Sequence, residues 1–149
     1  MSFVRLTKIF TFETSHFLYN YNGLCKNIHG HSYKFYVTIG GNVKQLHGDT
    51  EDGMVADFTS IKKIVNQFVV DEFDHALVVN GTVTDLPLQL LNQVTQRIIQ
   101  LPFQPTCENL ICHFAELLNV NMPEGILLME LKLFETASSY AEWRREENI

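Results

Sequence analysis

At 149 residues, with 46% hydrophobic and 19% charged residues, the chain has the composition of one folded domain, residues 1–149, rather than of a disordered segment. Its formal net charge of −6 argues against nucleic-acid or anionic-membrane binding as its main role, because large-scale counterion release needs cations. Three cysteines, Cys25, Cys107 and Cys112, have no framework spacing, and Arg5, Lys8 and Glu13 interrupt the N-terminal apolar residues, so a soluble, reduced, cytoplasmic protein without a signal peptide or membrane span is expected.

Residues 4–16 alternate, with Leu6, Phe10, Phe12, Thr14 and His16 on one parity, which predicts a long half-buried strand ending in a histidine. Residues 17–28, where Asn20, Asn22 and Gly23 interrupt tyrosines, read as a loop that carries Cys25. Alternation resumes over residues 29–43, and His29, His31, Tyr33, Phe35, Val37 and Ile39 share a parity. The two-residue period sets His29 and His31 on one face, about 7 Å apart along the strand. Gly30 between them is expected to allow close backbone approach or an unusual φ, and Gly40-Gly41 a bulge or bend. His16 closes the preceding strand, so a neighbouring strand can deliver it to the same place. Three histidines with an open fourth position describe a catalytic zinc site rather than a closed structural one.

Residues 46–53 read as a polar turn with His47 in solvent. Asp57 is placed to cap a helix over residues 58–69, with Phe58, Ile61, Ile64, Val65 and Phe68 on its apolar face. Residues 71–77, which hold Asp74-His75, read as a polar turn. Residues 84–94 suggest a helix and residues 97–101 a short apolar strand. Thr106 is placed to cap a second long helix with Leu110, Ile111, Phe114, Leu117 and Leu118 as its stripe, Glu108 in its first turn and His113 on its surface. Cys107 and Cys112 read as buried or bystander thiols. From Ile126 strand patterning returns, with Leu127, Met129, Leu131, Leu133 and Glu135 on one parity, and residues 140–145 give a last strand around Trp143. The principal order is strand, strand, helix, helix, strand, strand.

Phe12-Glu13-Thr14-Ser15-His16, the run Cys25 to His31 with its Cys-x3-His-Gly-His spacing, Asp74-His75, Pro105-Thr106-Cys107-Glu108-Asn109 and Glu135-Thr136 together resemble the 6-pyruvoyl-tetrahydropterin synthase family, which includes the bacterial 6-carboxy-tetrahydropterin synthases. The resemblance runs from Phe10 to about Ala141. It implies an α+β T-fold, a four-stranded antiparallel sheet with two helices on one face in the order ββααββ, assembled as a homo-oligomer, trimer or hexamer. It implies Zn2+ on His16, His29 and His31, a catalytic triad of Cys25, Asp74 and His75, and a pterin held by Glu135 with Thr106 and Glu108 nearby. The substrate implied is 7,8-dihydroneopterin triphosphate, with zinc as Lewis acid and Cys25 as the base.

The Cys-x3-His-Gly-His spacing resembles the bacterial branch of the queuosine pathway, in which the product is 6-carboxy-5,6,7,8-tetrahydropterin and acetaldehyde and triphosphate leave. A 6-pyruvoyl-tetrahydropterin product, and a non-catalytic pterin- or metal-binding module, stay open as alternatives. Lys8, Lys26 and Lys34 are candidate triphosphate contacts. Residues 81–104 form a longer segment than compact members of the family carry, and nothing in their pattern assigns them a role.

Overall fold

Two fourteen-residue strands, β1 (Phe3–His16) and β2 (His29–Asn42), pair antiparallel in an unbroken register from Phe3 opposite Asn42 to His16 opposite His29. The computed structural model describes all 149 residues, Met1–Ile149. Four shorter strands, β3 (Ala76–Asn80), β4 (Ile98–Leu101), β5 (Leu127–Phe134) and β6 (Tyr140–Arg144), complete a six-stranded sheet in the order β4-β3-β1-β2-β5-β6. β3 runs parallel to β1 and β4 parallel to β3, whereas β5 and β6 pair antiparallel.

The expected four-stranded antiparallel sheet and ββααββ order are thus corrected to a mixed six-stranded sheet with further elements between the long helices. β3 had no strand signal because Ala76, Leu77, Val78 and Val79 are all buried, and a strand covered on both faces shows no alternation. β4 was legible as a short strand, but its place beside β3 depends on that hidden neighbour.

Asp57 caps α1 (Phe58–Val65) as its sequence predicts, its Oδ1 accepting from the Thr59 N–H at 2.7 Å. The helical path continues through a π-type widening over Asn66–Val70 into the short α2 (Asp71–Phe73). Ile61, Val65, Val69 and Phe73, four residues apart, are buried along it, while Phe58 is exposed. Steps of four residues drift by about 40° each on an ideal helix, and the wider turn takes up part of that drift. A third helix, α3 (Leu88–Val94), buries no residue. α4 (Cys107–Asn121) starts at Thr106, whose Oγ1 accepts from Asn109 N–H at 3.2 Å.

The core lies between the sheet and α1 and α4. Phe114 is fully buried there, with its ring centroid 4.9 Å from that of Phe73, 5.4 Å from Phe35 and 6.2 Å from Phe12. Each such side chain contributes about 1.5–3 kcal/mol by leaving water. His113, expected on the helix surface, is instead half-buried beside the Phe73 and Phe103 rings, and burial lowers its pKa.

The parity expected for β5 is also corrected. A register shift between Thr38 and Ile39 leaves Met129 without a partner, so Leu128 joins Leu131 and Leu133 in the core and Leu127 turns outward. Through Gly40-Gly41 the pairing of β2 with β1 is unbroken, and the bulge of this region lies in the pairing with β5, between Thr38 and Ile39. A Cβ at Gly40 would lie 2.6 Å from the Phe3 ring and one at Gly41 2.9 Å from Val55 Cγ1, so these glycines admit close packing. No helix is long and apolar enough to cross a membrane.

Candidate functional site

The pairing of β1 with β2 builds the site. His16 lies opposite His29, and Thr14 opposite His31, so the alternation that buries Phe12 and Tyr33 directs all three imidazoles to one face at the same end of the ribbon. One ring nitrogen from each of His16, His29 and His31 lies within 4.8 Å of the other two. The convergence expected from the sequence is present.

The main chain fixes which nitrogens face inward. His16 Nδ1 lies 2.7 Å from the Pro105 carbonyl and His29 Nδ1 lies 2.7 Å from the Asn27 carbonyl. A carbonyl only accepts, so both Nδ1 atoms carry the proton, and a neutral ring so held presents a bare Nε2. Those two Nε2 atoms are 3.1 Å apart, an approach of lone pairs that a shared cation relieves. Tetrahedral zinc with bonds of 2.0–2.1 Å holds its ligand atoms about 3.4 Å apart, so the set fits such an ion with small ring movements.

His16 is 2% exposed, and burial, opposed by its bond to the Pro105 carbonyl and reinforced by the other two imidazoles, holds its pKa down to about 4. An unfolded histidine takes up a proton near pH 6.5, so the stability this residue supplies is present above that pH and is lost as pH falls towards 4. At about 1.4 kcal/mol per unit the loss over that window is on the order of 3 kcal/mol. Urea unfolding of metal-free protein at pH 7 and pH 4.5 checks this. The wild-type chain is expected to lose more stability across that interval than His16→Gln, and equal losses would contradict the assignment.

The three histidines open into a cavity of about 510 Å³. Cys25 and Tyr21 line it from the loop, Thr106, Cys107 and Glu108 from the start of α4, and Glu135, Thr136 and Ser139 from the turn after β5. Glu135 Oε1 lies 3.9 Å from His16 Nε2 and 4.0 Å from His31 Nε2, and it accepts from the Tyr33 hydroxyl at 3.4 Å. The buried Tyr33 hydroxyl stays protonated, because burial and the adjacent carboxylate raise its pKa. Cys107 donates to the Leu133 carbonyl at 3.2 Å, and burial and Glu135 push its thiol up to about 12. It is a poor nucleophile at neutral pH, in keeping with a bystander role, while Cys112 is exposed and Cys25 half-buried at the cavity wall.

Cys25 and His75 line different pockets, which meet at His31. His75 N donates to the Glu13 carbonyl at 2.6 Å, and Glu13 N donates to Asp74 Oδ1 at 2.8 Å. This two-way clamp fixes the pair beside residues of β1 whose parity is opposite to that of His16. The His75 ring is 74% exposed and borders a shallow pocket with Glu13, Ser15, Gly30 and Ser32. Its backbone adopts φ of 60°, which the clamp holds in place. Asp74 Oδ2 lies 2.9 Å from His75 Nδ1, and the Glu13 N–H foremost, with His75 and Arg97 adding to it, lowers the Asp74 pKa.

Gly30 has no special φ, and a Cβ there would meet only ordinary contact with Thr14 O at 3.5 Å. The steric role expected for it is not observed; its effect is to leave the pocket beside His75 open. Lys8, Lys26 and Lys34 do not line the cavity. His47 is exposed, as expected. Gln104, which lines the cavity, went unread because a lone glutamine between Phe103 and Pro105 belongs to no motif.

A family profile described as 6-pyruvoyl tetrahydropterin synthase matches residues 5–146. The chain is 29% identical over 143 residues to the 6-carboxy-5,6,7,8-tetrahydropterin synthase of Haemophilus influenzae, covering 94% of this chain and 98% of that one. It is 30% identical over 166 residues to the Aquifex aeolicus protein of the same name, covering 95% and 98%. The solved structure of Caenorhabditis elegans 6-pyruvoyl tetrahydropterin synthase superposes with a TM-score of 0.68 at 24% identity, covering 97% of this chain and 96% of that one, and shares the fold.

Proposed function

The chain belongs to the 6-pyruvoyl tetrahydropterin synthase family, and from that premise we propose that it is a zinc-dependent lyase converting 7,8-dihydroneopterin triphosphate and water to 6-carboxy-5,6,7,8-tetrahydropterin, acetaldehyde and triphosphate. The observation that carries this reading is the meeting of three imidazoles on the wall of one cavity with Cys25 and Glu135. The names of the Haemophilus and Aquifex relatives favour the carboxy product.

Each residue's part follows from its chemistry. His16, His29 and His31 would hold the ion, which when bound supplies a Lewis acid that lowers the pKa of the substrate's side-chain hydroxyls. Glu135, a carboxylate beside the ion site, accepts two parallel N–H bonds from the 2-amino and N3 edge of the pterin and sets the ring's orientation. Thr106 and Glu108 line the same cavity and bound the space left for the ring. Cys25 moves protons on the substrate's side-chain carbons, and for this it needs a partner that takes its own proton.

Asp74 and His75 are chemically suited to that partnership. Asp74 is ionised and orients the imidazole through Nδ1, leaving Nε2 as acceptor. His75 lines a different pocket from Cys25 of its own chain, which supports a triad that joins Cys25 of one copy to Asp74 and His75 of another. A homo-oligomer, trimer or hexamer, is therefore part of the proposed active species. The open sheet edges at β4 and β6 support such assembly.

The deciding experiment incubates zinc-loaded protein with 7,8-dihydroneopterin triphosphate and assays the products. Acetaldehyde formed in step with triphosphate and a carboxylated tetrahydropterin is expected. Triphosphate without acetaldehyde would identify the 6-pyruvoyl product instead, and pterin binding with neither release would identify a binding module.

A further inference from the structure

Residues 81–104, to which the sequence assigned no role, reach the Cys25 loop through Gln104 and Asp85. The Gln104 side-chain amide grips the main chain of Tyr19 from both sides: Tyr19 N donates to Oε1 at 3.1 Å and Nε2 donates to the Tyr19 carbonyl at 2.8 Å. The Tyr19 hydroxyl donates to the Asp85 carboxylate at 3.2 Å, a second tie to the same segment. Next to Tyr19, Leu18 N donates to the Cys25 carbonyl at 2.8 Å, so the grip passes directly to the residue that carries the thiol.

Gln104 is itself rigidly held. Its carbonyl accepts from Asn109 Nδ2 at 2.9 Å and from Thr106 N at 2.8 Å. The following residue, Pro105, offers the carbonyl that fixes His16 Nδ1. One short run ahead of α4 thus orients a metal-site imidazole through Pro105 and the thiol loop through Gln104. A primary amide is needed for the two-way grip, because it carries a donor and an acceptor on one planar group, whereas a carboxylate carries no donor.

We propose that Gln104 is a positioning residue for Cys25, holding the thiol loop in register with the three histidines. The proposal rests on the synthase reading only for its turnover readout. The test compares zinc-loaded wild-type protein with Gln104→Glu, which keeps the shape and loses the donor, and Gln104→Met, which fills the space and loses both bonds. Cys25 alkylation by iodoacetamide is followed by peptide mapping, with the exposed Cys112 as internal reference and bound zinc measured in each sample.

In both variants Cys25 is expected to alkylate ~10-fold faster and kcat to fall ~10- to 100-fold with KM changed less than ~3-fold, as for a group displaced by about 1 Å. Zinc content and Cys112 alkylation stay at the wild-type level. Wild-type Cys25 alkylation or wild-type kcat in a folded variant overturns the proposal, and if one variant does not fold the other decides. If the wild-type protein itself turns over no pterin triphosphate, the synthase reading fails while the alkylation rates still judge Gln104.

Discussion

His16→Ala is expected to abolish both stoichiometric zinc binding and turnover. This residue contributes one of only three ring nitrogens in the cluster, and its removal leaves two. Loss of an outer partner of a ligating histidine typically costs 10–100-fold in metal affinity, and removal of the ligand itself should exceed ~100-fold. Because His16 is buried, the alanine variant also leaves a cavity and an unpaired carbonyl, so His31→Ala is the companion. His31 is 17% exposed, more than His16, and its loss is expected to remove zinc with a smaller change in the unfolding midpoint than His16→Ala causes. Zinc content by elemental analysis and turnover are the measurements; a His31→Ala protein that keeps one tightly bound zinc and full activity would sink the three-histidine site.

Cys25→Ala and His75→Ala should each lose ~10²–10⁴-fold in turnover while retaining zinc, the range for removal of a general acid or base. Mixing them is more telling than either alone. Cys25 and His75 line different pockets, so under the proposed assembly each variant damages a different half of the shared site. Co-refolded one to one, the two inactive chains are expected to regain roughly a quarter of wild-type activity, since random pairing across an interface between copies joins two intact halves that often. A triad assembled within one chain predicts no recovery at all. The assay is therefore a direct reading of where the proton relay is built.

Much of this site was legible in the residues themselves. The parity of His16 with Phe12 and of His29 and His31 with Tyr33 placed the rings on the buried face, because a strand allows only two faces and the apolar side chains claim one of them. The caps at Asp57 and Thr106 were equally local: a side-chain oxygen two or three residues before a free N–H suffices. β3 was not legible, since a strand buried on both faces has no alternation to read. Nor was the bulge at Met129, which moved Leu128 into the core against the expected parity of β5, because a register shift belongs to the pairing of two strands and to neither strand alone.

The sequence by itself determined which groups can bind a cation and which strand face carries them, for both follow from residue type and a two-residue period. Only the tertiary structure decided how those groups are used. The Pro105 carbonyl that selects the His16 tautomer is 89 residues away along the chain, and the Gln104 amide that grips the Cys25 loop is 85 residues from its target. The placement of Asp74 and His75 beside β1 likewise comes from two hydrogen bonds to the Glu13 main chain. Each of these is a contact between segments brought together only when the core closes, and no local periodicity carries a trace of it.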